Sequence, residues 1–82
     1  MLILEELSSN ILGSCFAVFN ELGAGFLEPV YQEALAITLR QDKIPFEREK
    51  HLTIYFRNQP LAKKYVADFV CDDQIILELK AV

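Results

Sequence analysis

Charged residues interrupt apolar strand sequence at one place in this chain, where Tyr65-Val66-Ala67-Asp68-Phe69-Val70-Cys71 runs through a short acidic turn into Ile75-Ile76-Leu77-Glu78-Leu79-Lys80. The strand period of two sends Glu78 and Lys80 to one face and Leu77 and Leu79 to the other. Asp68 precedes Glu78 by ten residues, so an antiparallel hairpin would bring two carboxylates and an ammonium together. Two hard oxygen donors can hold a divalent cation that keeps several of its waters, and a nearby lysine can orient or activate one of those waters. That combination suits hydrolysis of phosphodiesters.

The register of this hairpin decides whether the three residues meet. A two-residue turn at Asp72-Asp73 would set Asp68 opposite Leu77 and split the site between faces. A three-residue loop, Asp72 to Gln74, pairs Cys71 with Ile75 and Asp68 with Glu78. It gathers Val66, Asp68, Val70, Ile76, Glu78 and Lys80 on one face and leaves Tyr65, Ala67, Phe69, Cys71, Ile75, Leu77, Leu79 and Ala81 as a continuous apolar surface on the other. Segregation of apolar residues thus favours the register that builds the site.

The elements that must position these residues read as helix first and sheet second. Leu4, Leu7, Ile11, Cys15, Val18 and Leu22 recur at spacings of three and four, which predicts a helix over about residues 3 to 22, its stripe widened by Leu12, Phe16 and Phe19. Gly23-Ala24-Gly25 ends it, because a glycine just past a helix can take the left-handed conformation. Glu28-Pro29 opens a second helix, with an apolar face of Val30, Tyr31, Ala34, Leu35, Ile37 and Leu39 down to about Gln41. Asp42-Lys43-Ile44-Pro45 leads to strands. Leu52, Ile54 and Phe56 alternate with Thr53, Tyr55 and Arg57, Asn58-Gln59-Pro60 is expected to turn, and two further strands follow at about 63 to 71 and 75 to 81. The expected fold is α+β, two helices on a three-stranded antiparallel meander.

Composition bounds the function. At 82 residues the chain suits one small domain, 1–82, burying a little over ~60% of its unfolded surface. A net charge of −4 and pI near 4.8 argue against holding nucleic acid by a general basic surface, so any such contact must be local or metal-dependent. Met1-Leu2-Ile3-Leu4 lacks the basic flank and length of a signal peptide, and no run approaches the ~20 residues of a membrane span. Cys15 and Cys71 have no cysteine or histidine companion at metal-ligand spacing and read as reduced, buried thiols of a cytoplasmic protein.

Asp68 followed by Glu78-Leu79-Lys80 resembles the spaced Asp and Glu-x-Lys of the PD-(D/E)XK nuclease superfamily. Gly25-Phe26-Leu27-Glu28-Pro29-Val30-Tyr31 is similar to the Gly-x-x-Glu-x-x-Tyr signature of the small bacterial and archaeal GxxExxY family within it. Glu-x-Lys alone is weak evidence. The two motifs in this order, with a strand-turn-strand between them, are a specific pair. The resemblance implies a restriction-endonuclease-like α/β core, present here as its front half and lacking a C-terminal helix and strand that follow in the family. It also implies a metal-dependent nuclease acting on DNA or RNA, with Mg²⁺ or Mn²⁺ held by Asp68, Glu78 and the Leu79 main-chain carbonyl, Lys80 orienting the attacking water, and Glu28 assisting.

Each of these residues has a plainer alternative. Glu78 and Lys80 form a solvated pair on an edge strand in that case, a contact worth little. Glu28 either joins the metal site or favours the positive end of its helix dipole. Tyr31 reads as a core aromatic whose hydroxyl finds a partner, Gly25 as a backbone requirement, His51 as a surface residue, and Lys63-Lys64 as a solubilising pair or a phosphate contact. The alternative function is a catalytically inactive truncated domain that acts through oligomerisation or partner binding. The edge and the apolar face of the third strand lead to an expected homo-oligomer.

Overall fold

The computed structural model describes residues 4–80. Helix α1 spans Leu4–Leu22 and α2 spans Glu28–Gln41; strands β1 (Phe46–Phe56), β2 (Gln59–Cys71) and β3 (Ile75–Leu77) form one antiparallel sheet in the order β1-β2-β3. This is the expected α+β arrangement. A thickness of 17 Å against extents of 43 and 33 Å fits two layers, helices on one face of the sheet. The core joins Leu7, Ile11 and Val18 of α1 and Tyr31, Leu35, Ala36 and Leu39 of α2 to Phe69 and Cys71 of β2, with Ile44 and Leu79 beside them.

The stripe of α1 is narrower than its sequence implies. Leu12, Phe16 and Phe19 lie on the solvent side, as do Val30 and Ile37 of α2. One flank of each helix is enough to cover the sheet. In place of a wider apolar stripe, α1 buries Ser14, whose hydroxyl donates to Asp42 Oδ2 at 2.5 Å and lies 3.2 Å from the Asn10 carbonyl. That contact ties the middle of α1 to the end of α2, where the Asp42 and Lys43 amides close on Thr38 and Arg40 and the Ile44 amide closes on Leu39.

Three strand features depart from the expected reading. The β1–β2 turn is Arg57-Asn58, both at positive φ (50° and 63°), between the paired Phe56 and Gln59. Two consecutive left-handed residues give the turn whose twist matches that of the flanking strands. Gln59 and Pro60 are therefore strand residues, and β2 begins four positions before Lys63. Pro60 is tolerated because β3 pairs only with residues 69–71 of β2, which leaves the other edge beside Pro60 open. The third departure is β3, which stops at Leu77; residues 78–80 are irregular and Ala81 lies outside the described residues.

The outer half of the long hairpin leaves the body. Every residue from 53 to 66 is exposed, and the radius of gyration of 14.1 Å exceeds the roughly 12 Å of a compact domain of this length. The ladder is irregular there, since Thr53 pairs with Lys64 but Tyr55 with Pro60, so Leu61, Ala62 and Lys63 together oppose Ile54.

Because the Ser14 hydroxyl is buried, replacing Asp42 leaves it only the helix carbonyl as partner. Asp42→Ala should lower stability by about 1 kcal/mol in urea unfolding without changing the slope of the transition. A loss near zero would show that the Asn10 carbonyl satisfies the hydroxyl.

Candidate active site

The three-residue loop forms as the apolar pattern requires. Cys71 pairs with Ile75, Val70 with Ile76 and Phe69 with Leu77, and Asp72 and Asp73 take left-handed φ values of 51° and 54°. Two amides brace the loop, Gln74 on Cys71 at 3.0 Å and Asp72 on Pro45 at 2.7 Å. Ala67, Phe69 and Cys71 face the helices with no exposed surface, while Val66 and Ile76 are exposed on the other side.

Beyond Leu77 the ladder gives way to a side-chain bond. The Leu79 amide donates to Asp68 Oδ2 at 2.8 Å, so the aspartate of β2 holds the backbone of Glu78-Leu79-Lys80 directly. The Leu79 side chain is buried and shares a small apolar crevice with Cys15, Val18, Phe19, Tyr31 and Leu35. Burial of Leu79 between two exposed neighbours fixes where Glu78 and Lys80 leave the chain.

Glu78 accepts a hydrogen bond from the Tyr65 hydroxyl. Tyr65 was expected on the apolar face. It is exposed instead, because its position on β2 lies beyond the helices, and its ring extends to the carboxylate. The hydrogen bond to Glu78 raises the phenol pKa above its ordinary value, with smaller contributions from desolvation and from the charges of Glu78 and Asp68. Tyr65 thus lies within electrostatic reach of both carboxylates. Sequence reasoning missed this role; the signal was a tyrosine three residues before the aspartate in a strand otherwise leaving the core.

Lys80 enters a different setting. It lines a cleft of ≈ 470 Å³ with Phe19, Gly23, Ala24, Gly25, Phe26, Leu27 and Tyr31, so the Gly-x-x-Glu-x-x-Tyr segment and the Glu-x-Lys segment meet there. The Tyr31 hydroxyl shapes that wall. It donates to the Gly23 carbonyl at 2.7 Å and accepts from the Phe26 amide at 3.2 Å, while its ring packs 5.2 Å from Phe19 and 6.1 Å from Phe26. Gly23 and Gly25 turn the loop at φ 72° and 109°, conformations that a side chain would strain. Glu28 is half-buried in the first turn of α2, next to Pro29, and is not among the residues lining the cleft. Glu49 of β1 lies opposite Asp68 in register, between the Arg48–Phe69 and Lys50–Ala67 pairs, with a left-handed φ of 50°.

Asp68 and Glu78 supply the hard oxygen donors that a Mg²⁺-like ion takes. Among the described residues no three His, Cys, Asp or Glu side chains cluster closely enough to hold one. Main-chain oxygen and water would have to complete a shell, as small divalent cations prefer. The donor chemistry therefore fits such an ion.

Two helices on an antiparallel meander, with an aspartate bonded to the backbone of a Glu-x-Lys segment, are the features with which the comparison to known proteins agrees. Residues 5–82 match a family model described as PD-(D/E)XK nuclease superfamily, and the chain belongs to that superfamily. No curated protein and no solved structure matches the chain. No helix among the described residues is long and apolar enough to cross a membrane.

Two measurements check this geometry. A folded-state phenol pKa above the ordinary value means that the neutral Tyr65 donor is favoured; its contribution is present below the ordinary value and lost as pH rises through the raised one. Glu78→Ala should return Tyr65 toward the ordinary range in an absorbance titration, and an unchanged curve would refute the bond. Tyr31→Phe should cost about 1–2 kcal/mol and speed amide exchange at Phe26, since it leaves two backbone groups of the loop without their partner.

Proposed function

We propose that the chain is a metal-dependent nuclease domain of the GxxExxY type within its superfamily, acting on DNA or RNA. The bond from the Leu79 amide to Asp68 supports this reading most directly, because it ties the aspartate strand to the Glu-x-Lys segment. Asp68, Glu78 and the Leu79 carbonyl would hold Mg²⁺ or Mn²⁺. When bound, such an ion polarises a phosphoryl oxygen and lowers the pKa of a coordinated water.

The protein's own groups do the rest. Asp68 spends one oxygen on the Leu79 amide and keeps the carboxylate fixed in place. Glu78, which accepts from the Tyr65 hydroxyl, would serve as a carboxylate ligand to such an ion, and the Tyr65 hydroxyl beside it would be placed to donate to a phosphate oxygen. Lys80 carries a positive charge toward the phosphate and orients the attacking water from the cleft side. Glu28, at the start of α2, assists as a further acidic group near that cleft. The superfamily's nucleases generally use divalent metals, and in an acidic chain of net charge −4 such an ion would offset the repulsion between the carboxylates of the site and a phosphate.

Calorimetric titration with Mn²⁺ tests the metal step. Wild type should bind one ion, Asp68→Ala and Glu78→Ala should lose binding by tenfold or more, and Mn²⁺ should lower the Tyr65 pKa in the wild type. Lys80→Ala should retain Mn²⁺ yet lose cleavage of a labelled oligonucleotide by about 10²-fold or more. Equal Mn²⁺ binding by all variants would favour the second function class, a non-catalytic domain.

A further inference from the structure

The two strands of the β1–β2 hairpin differ in charge from the rest of the chain. Residues 50–67 contain four of the eight Lys/Arg residues, Lys50, Arg57, Lys63 and Lys64, and none of the twelve Asp/Glu residues of a protein whose net charge is −4. The structure places that stretch apart from the acidic body. Residues 53–66 are all exposed, on an arm that carries the molecule well past compact dimensions. At physiological salt, screening over about 8 Å confines charges to local effects, so the arm behaves as a basic element in its own right.

The arm also displays aromatic surface. Tyr55 is 67% exposed and Phe56 61% exposed, with Ile54 and Leu61 open beside them. The Arg57 guanidinium lies 5.2 Å from the centre of the Phe56 ring. Lys64 is held across the strands by a 2.8 Å bond to Thr53 Oγ1, and the irregular ladder sets Lys63 beside it. Lys50 is otherwise engaged, with Glu47 at 3.2 Å and Asp73 at 3.6 Å. Lysines and a proline on an open strand edge deter unwanted pairing. Edge protection, however, explains neither the absence of every acid from these 18 positions nor the exposed aromatic rings.

We infer that the β1–β2 arm is a binding element for a single-stranded stretch of nucleic acid, with Arg57, Lys63 and Lys64 on the phosphates and Tyr55 as a platform for a base. Charge complementarity selects a polyanion, and the open aromatic face selects unpaired bases over a duplex, because only an unpaired base offers a face to stack. Arg57, Lys63, Lys64 and Tyr55 lie outside the candidate active site, and the arm adjoins that site only at its base, where Tyr65 meets Glu78. The inference rests on the nuclease reading for the identity of the polymer, and it adds where the strand is held.

The test uses fluorescence anisotropy with a labelled oligothymidylate, with EDTA present so that cleavage and metal do not enter. Wild type should bind, with log affinity falling against log salt at a slope of about −2, near −0.7 per phosphate contacted on a single strand. The triple variant Arg57→Gln, Lys63→Gln, Lys64→Gln should flatten that slope toward zero. Tyr55→Ala should weaken binding about fivefold or more with the slope unchanged. Tighter binding of the matching duplex, an unaltered slope in the triple variant, absence of binding by wild type, or an arm that instead pairs with a second copy of the chain in light scattering would each overturn the inference. Binding that persists in a protein without cleavage activity would refute the nuclease reading alone.

Discussion

The hydrogen bond from the Leu79 amide to Asp68 is the constraint on which the candidate site depends. After Leu77 no ladder bond holds the described chain, and this contact, the burial of the Leu79 side chain and the Tyr65–Glu78 hydrogen bond keep residues 78–80 on the body. The aspartate acts twice in the fold's logic. One oxygen substitutes for a strand partner, and the carboxylate as a whole stays poised beside Glu78. A carboxylate accepting from a backbone amide is a strong, directional contact, which suits a position where regular pairing has ended.

The helical pair contributes by a similar economy of polar contacts. Ser14 on Asp42 closes one end of the pair, and Tyr31 on Gly23 and Phe26 closes the other. Both use a hydroxyl to satisfy groups near the core, where an unpaired one would be costly. Between these clasps, Leu7, Ile11, Leu35 and Leu39 form the apolar bed on which Phe69 and Leu79 rest. The thiols of Cys15 and Cys71 belong to the same bed, and burial pushes Cys71 up to about 11, which keeps it protonated and unreactive at neutral pH.

Much of this was legible in the sequence, for reasons that particular residues make clear. The three-residue loop at Asp72 to Gln74 followed from apolar segregation, because a slip of one position would have exposed Phe69 and Cys71. The roles of Tyr31 and the glycines followed from their chemistry and backbone freedom. The Arg57-Asn58 turn did not, since arginine is not a usual left-handed residue and Pro60 drew attention to the wrong positions. The end of β3 at Leu77 was hidden because Glu78-Leu79-Lys80 keeps perfect strand alternation; what ends the strand is the Asp68 side chain taking the amide that a ladder partner would have used. Likewise the pairing of Tyr65 with Glu78 depends on where the helices stop covering β2, a tertiary fact with no local signature.

The order of the sheet has a consequence for how the site comes into being. Each strand pairs with its neighbour in the chain, and the two helices are also consecutive, so most contacts close short loops and can form early. The contacts of the sheet with α1 close longer loops, and among them Leu79 comes last in the chain, in a crevice lined by residues as distant as Cys15 and Val18. Seating it joins the last described turn of the chain to the first helix. The topology therefore implies that the helix pair and the long hairpin organise first and the carboxylate segment docks last, and that it can also undock without global unfolding. Amide exchange at Leu79 that outpaces exchange at Phe69 would mark the site as the most readily opened part of an otherwise cooperative molecule.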